Sequence, residues 1–344
     1  MSTVQMQESI LNTFAKKLAS RLDMPIFSPF GVGYVLSLLN LGAGCQTYLE
    51  LTRLFEGQLT AFQLANMHKI LGPMMSNFVF VNEKYKLKNV YSQIISPLAI
   101  IENKNFNDPN MLTNVNNLIA TKTNNMIQST IPVINPDMIM IILNVIYFKM
   151  NWDKQFNKTL SYQCNFHGIA GIYPVQMMTQ TNEFNYFEDN NVQVIELPYE
   201  KQEFSMIIML PRENVKNPKF NLAYIDRMLP HCNQQEVIVH LPRFTSDAHC
   251  SLVKSLRQLD ACTMFTENAD FNLISSTPSF VSEIIHAAKI IVDEEGTEIG
   301  TVVYEDCWDD NTESPKLFLA DHPFAYTIIH KPSQLILFMG NFCG

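Results

Sequence analysis

Residues 285–313 read IHAAKIIVDEEGTEIGTVVYEDCWDDNTE. Lys289 to Val292 is short and β-branched, the composition of a strand. From Asp293 to Glu313 the chain turns acidic and small, with no helical face, and it does so between two strand-like segments. A connection of about twenty residues without structure of its own is unusual inside a compact domain, and such loops tend to carry function. Working outward, the same strand composition recurs at Ile139 to Phe148, Val192 to Tyr199, Phe204 to Leu210, Val237 to Phe244 and Leu335 to Gly340. Several of these are apolar on both parities over most of their length, as strands buried on both faces are. The first 130 residues differ. Ile10, Leu11, Phe14, Ala15 and Leu18, and the stretch Met111 to Ile127, have helical spacing. Helices first and strands later, with few alternating βαβ units, point to an α+β fold of large mixed or antiparallel sheets with surrounding helices.

Composition narrows the function. The 344 residues are 47% hydrophobic and 17% charged, enough to bury a large core. With 24 Lys and Arg against 33 Asp and Glu, the net charge of −9 has the wrong sign for neutralising phosphates, so nucleic acid is excluded as the main partner. No run of about eighteen apolar residues and no basic, apolar leader is found, which predicts a cytoplasmic protein without a membrane partner. The seven cysteines are odd in number, scattered and without a C-x-x-C pair, so no disulfide framework is expected. Without repeats, low-complexity tracts or a linker, residues 1–344 are expected to form a single domain, and the protein a monomer.

The chemical motifs are weak. His231, Cys232, His240, His249 and Cys250 fall within twenty residues, but none of their spacings matches a zinc site. Gly31-Val-Gly33 and Gly42-Ala-Gly44 lack the residues that complete a phosphate loop. No G-x-S-x-G elbow occurs, and a dyad such as His286 with Cys307 is one free choice among many. The expectation is therefore a protein that is not an enzyme and uses no cofactor or metal.

Segments in one order along nearly the whole chain resemble the serpin family of protease inhibitors. They are Ile26-Phe-Ser-Pro-Phe30 with Leu41-Gly-Ala-Gly44; Asn144-Val-Ile-Tyr-Phe-Lys149 with Trp152 and Phe156; Val175 to Met178; and Glu196 to Tyr199 with Met206 to Pro211. Leu241-Pro-Arg-Phe244, Ala269-Asp-Phe271, Ile285-His286, Ile291 to Glu298, Asp321-His-Pro-Phe324 and Leu337-Phe-Met-Gly340 complete the series. The short first half and the acidic loop are most similar to the intracellular poxviral branch, which implies the cytosol of a host cell.

The resemblance implies an exposed reactive-centre loop over about 294–316, opened by a hinge of Glu294, Glu295, Gly296, Thr297, Glu298, Ile299 and Gly300. A protease cuts such a loop and forms an acyl-enzyme, and the freed segment enters the sheet as a new strand. Counting by two from the hinge, Thr297, Ile299, Thr301 and Val303 face the core, and Glu305 continues that face. Family members are usually cut about fourteen residues beyond the hinge glycine, which implies Asp310; the poxviral branch runs one residue shorter, which implies Asp309. Asp306, before Cys307, is the third candidate. All three are aspartates, and a protease that accepts aspartate needs a basic pocket. The implied partners are host caspases such as caspase-1, and granzyme B, with Trp308 and Cys307 in the adjoining subsites. Ser28, Asn144 and His286 are the implied hydrogen-bonded latch beneath the sheet, and Gly31 stands where the family usually has a second serine. Ile299, Val302 and Glu305 depart from the family's alanine-rich pattern. They support the alternative of a non-inhibitory binding module or a weak, substrate-like inhibitor.

Overall fold

The computed structural model describes residues 3–22, 24–71, 74–128, 130–213, 229–295 and 314–344. Its helices are α1 (Thr3–Ala19), α2 (Pro29–Asn40), α3 (Cys45–Phe55), α4 (Ala61–Leu71), α5 (Asn89–Ile95), α6 (Met111–Lys122) and α7 (Val253–Arg257). The strands of the first half are β1 (Ile26–Phe27), β2 (Met75–Asn82), β3 (Ile100–Lys104) and β4 (Met140–Phe148). The later strands begin with β5 (Tyr162–Gly168), β6 (Gly171–Glu188), β7 (Val192–Pro198), β8 (Phe204–Pro211) and β9 (Asn233–Pro242). They continue with β10 (Phe244–Ser251), β11 (Glu283–Val292), β12 (Lys316–Leu319), β13 (Phe324–His330) and β14 (Leu335–Phe342). Helices do precede most strands, although β2 and β3 already interrupt the helical half. Two compact units divide the chain: residues 1–148 with 247–289, and residues 149–246 with 290–344.

The first unit is built on a sheet of order β10-β11-β4-β2-β3. β2 runs antiparallel to β4 and parallel to β3. β4 is buried at all but one of its positions, which is why its sequence is apolar on both parities. Ile141, Leu143 and Val145 pack with Met111, Val115 and Ile119 of α6, residues spaced by four so that one helical stripe faces the sheet. α6 stops at Lys122 rather than running on to Ile127. Asn124 and Asn125 take left-handed φ values of 49° and 61°. The Thr123 hydroxyl donates to Ile119 O at 2.9 Å and accepts Ile127 N–H at 3.2 Å, which folds the chain back. α2 starts where Ser28 Oγ accepts Gly31 N–H at 2.9 Å and Pro29 supplies the fixed φ of a first turn.

In the second unit the strand order is β14-β13-β8-β7-β6-β9-β12, with β5 hydrogen-bonded to β6. β6 is long enough, at 18 residues, to pair with β5, β9 and β7 along its length. β12 lies parallel to β9, with Lys316 opposite Val237.

Candidate functional site

Glu294 follows β11 by two residues and is fully buried, so its carboxylate requires compensation. Arg243, between β9 and β10, supplies it in a fork: Nε donates to Oε2 at 3.0 Å and Nη2 to Oε1 at 2.6 Å. Ser161 Oγ donates to Oε1 at 2.7 Å. Burial alone would raise the carboxyl's pKa. The Arg243 and Ser161 hydrogen bonds outweigh that, and it sits below its ordinary value. The neighbouring backbone is pinned as well. Trp152 Nε1 donates to Asp293 O at 2.8 Å, and Phe156 N–H donates to Glu294 O at 3.0 Å. Trp152 stacks on Tyr199 with ring centroids 4.4 Å apart. Glu295 pairs with Lys158. The two carboxylates at the start of the expected hinge are thus held by Arg243, Ser161 and Lys158, none of which sequence reasoning selected as a site residue. The one available signal was an arginine set beside a proline between two strand-like segments.

The expected latch residues meet in the first unit. His286 Nε2 accepts Ser28 N–H at 2.9 Å, which leaves the ring proton on Nδ1, donated to Asn144 Oδ1 at 2.9 Å. Asn144 Nδ2 in turn donates to Asn77 Oδ1 at 2.7 Å. Asn77 is a fourth member that the sequence did not mark; its amide nitrogen has no partner among the described residues. Burial pushes the His286 pKa down to about 3, so the ring is neutral. Below its ordinary value the unfolded chain takes up a proton that the folded one refuses, so falling pH costs stability. Between pH 6.5 and 5 this one group should remove about 2 kcal/mol. Urea unfolding at the two pH values should show that difference in the parent and lose it in His286→Gln; an unchanged difference would assign the acid sensitivity to other groups.

Gly31 explains how Asn144 reaches its place. A Cβ there would lie 2.2 Å from Asn144 Oδ1, so a side chain at this position must displace the amide and break its bond to His286. Gly31→Ala should lower the unfolding free energy by about 1–3 kcal/mol. A urea midpoint equal to the parent's, with the same slope, would show that Asn144 is free to move.

Of the remaining expected site residues, Gly296, Thr297, Glu298, Ile299, Gly300, Asp306, Cys307, Trp308, Asp309 and Asp310 lie outside the described residues. Among the described residues no group of three or more His, Cys, Asp or Glu could hold a metal ion. His240 instead bonds the Tyr162 hydroxyl through Nδ1 at 3.1 Å.

Comparison with known proteins places these features in context. Residues 10–344 match the model of the serpin (serine protease inhibitor) family. A serpin-like protein of Acanthamoeba polyphaga mimivirus is 32% identical over 97% of this chain and 88% of its own length. The intracellular coagulation inhibitor 2 of Tachypleus tridentatus is 29% identical over 97% of this chain and 90% of its own length. Among solved structures, native protease nexin-1 crystallised with heparin superposes with a TM-score of 0.87 at 26% identity, covering 100% of both chains.

Proposed function

The chain belongs to the serpin family, and from that premise we propose that it is a cytoplasmic inhibitor that traps aspartate-directed proteases, with caspase-1 and granzyme B as its partners. The observation that carries this reading is the trio Asp306, Asp309 and Asp310 in the segment after the anchored hinge. The one-residue-shorter spacing of the intracellular poxviral branch selects Asp309 as the residue before the scissile bond. Its carboxylate would enter the protease's basic pocket, and Trp308 and Cys307 would fill the adjoining subsites.

In this mechanism the protease's thiol or hydroxyl attacks the Asp309 carbonyl carbon. The Asp309–Asp310 peptide bond breaks, the amine of Asp310 leaves, and a thioester or ester joins Asp309 to the enzyme. The segment beginning at Gly296 then enters the sheet between β4 and β11. Roughly ten new ladder hydrogen bonds at about 1 kcal/mol each give on the order of 10 kcal/mol. That is comparable to the whole stability of a protease domain, so the trapped enzyme is distorted before it can hydrolyse the acyl bond. Ser28, Asn144 and His286 act as the latch that must yield when β4 and β11 part. No described helix is long and apolar enough to cross a membrane, and the proposed partners act inside cells.

The test is intact-mass analysis after incubation with caspase-1 and with granzyme B. The expected products are an SDS-stable complex and a released fragment that begins at Asp310. Cleavage without a complex would assign the chain to the substrate-like class, and no cleavage between Asp306 and Asp310 would remove the aspartate reading.

A further inference from the structure

The chain that follows α6 leaves a cavity of about 360 Å³ against β10 and β11, wholly within the first unit. It is lined by Asn125, Gln128 and Thr130 on one side and by Asp247, His249 and Lys289 on the other. Its walls are preformed. Besides the Thr123 bonds that fold the chain back, Asn125 N–H donates to Ala120 O at 2.7 Å, and the Gln128 amide donates to Asn125 O at 3.3 Å. Ala287 and Ile127 add apolar residues to the lining.

Two features distinguish this cavity from a packing gap. Thr130 is 1% exposed, yet its hydroxyl has no hydrogen-bond partner among the described residues; buried polar groups are normally paired, and one left unpaired beside a cavity points to something that completes it. The rim also carries both signs of charge. No ion pair among the described residues engages Asp247, His249 or Lys289. Their hydrogen-bonding capacity is therefore available to a ligand.

We propose that this cavity binds a small zwitterion of about dipeptide size. The ligand's ammonium meets Asp247, its carboxylate meets Lys289, its peptide group meets the Thr130 hydroxyl and the Asn125 amide, and small side chains rest on Ala287 and Ile127. The volume suits that bulk, since pockets for small molecules begin at roughly 300 Å³. A lone anion is disfavoured by the Asp247 carboxylate and a lone cation by the Lys289 ammonium, whereas a molecule carrying both charges satisfies each. The site contains no hinge or latch residue, although Ala287 directly follows His286, and the binding proposed here does not depend on the chain trapping a protease.

The test uses calorimetric titration of the full chain with L-alanyl-L-alanine, with its N-acetyl form and with its C-terminal amide. The free dipeptide should bind the parent protein, and blocking either end should weaken binding roughly tenfold or more, the size of a lost charge-assisted hydrogen bond. In Asp247→Asn the acetylated and free forms should bind alike, and in Lys289→Met the amide and free forms should bind alike. Ala287→Leu, which adds bulk beneath the cavity, should abolish binding and, because Ala287 belongs to the core cluster, lower the melting temperature. If that variant does not fold, the two charge variants decide the matter. Absence of binding to the parent, or equal affinity for free and blocked dipeptides, overturns the proposal.

Discussion

Asp309→Ala should abolish inhibition of caspase-1 and granzyme B, while Asp306→Ala and Asp310→Ala retain most of it. The basis is the chemistry of the pocket that must receive this side chain. A protease selective for aspartate presents a guanidinium to the carboxylate, and a bidentate pair makes two charge-assisted hydrogen bonds. At about 1.5–3 kcal/mol each, their loss lowers the rate of acylation by roughly two to four orders of magnitude. Alanine also leaves the buried guanidinium without a partner, which adds to the penalty. Asp306 and Asp310 occupy positions that a protease reads weakly or not at all if the cut falls after Asp309. Complex formation on denaturing gels, with the cleavage site mapped by mass, separates the three. Retained inhibition by the Asp309 variant, with the cut mapped after Asp306 or Asp310, would sink the assignment.

Part of the fold was legible because single residues carried it. The apolar run from Ile139 gives β4, which begins one residue later at Met140, and the pairing of two large residues per helical turn gives α1 and α6. What the sequence hid depends on partners far along the chain. Glu294 announces a buried or exposed acid equally well; only the fold shows Arg243, 51 residues away, and Ser161, 133 residues away, closing on it. Asn77 escaped for the same reason, since strand alternation says which face a residue occupies but not which polar atom lies opposite. β6 was missed locally, because Pro174 and a series of half-exposed polar residues dilute its alternation over 18 positions. The end of α6 was missed because Asn124 and Asn125 read as ordinary helix residues until both are seen in the left-handed region.

Thr297→Arg should convert the inhibitor into a substrate. In the proposed mechanism Thr297 is the first inward-facing residue to pass between β4 and β11, so its side chain must enter a space bounded by strands with closely packed faces. β4 is buried at Leu143, Asn144 and Val145, and Ala287 and Ala288 of β11 are each 1% exposed. None of these described residues carries a carboxylate for a guanidinium to meet, and an unpaired buried charge costs several kcal/mol. Insertion yields on the order of 10 kcal/mol from its ladder bonds, so the loss falls on the first step, when almost none of that gain has accrued. Cleavage is untouched because Thr297 lies far from Asp309 in the chain. The acyl-enzyme then waits for insertion, deacylation overtakes it, and the protease leaves active. The expected observations are a normal rate of loop cleavage, no SDS-stable complex, and a cleaved form that gains little heat stability over the intact one. Thr297→Val, similar in shape and uncharged, should trap as the parent does, which ties any loss to the charge rather than to a damaged fold. Complexes formed by Thr297→Arg as readily as by the parent would mean that the strand enters elsewhere or not at all.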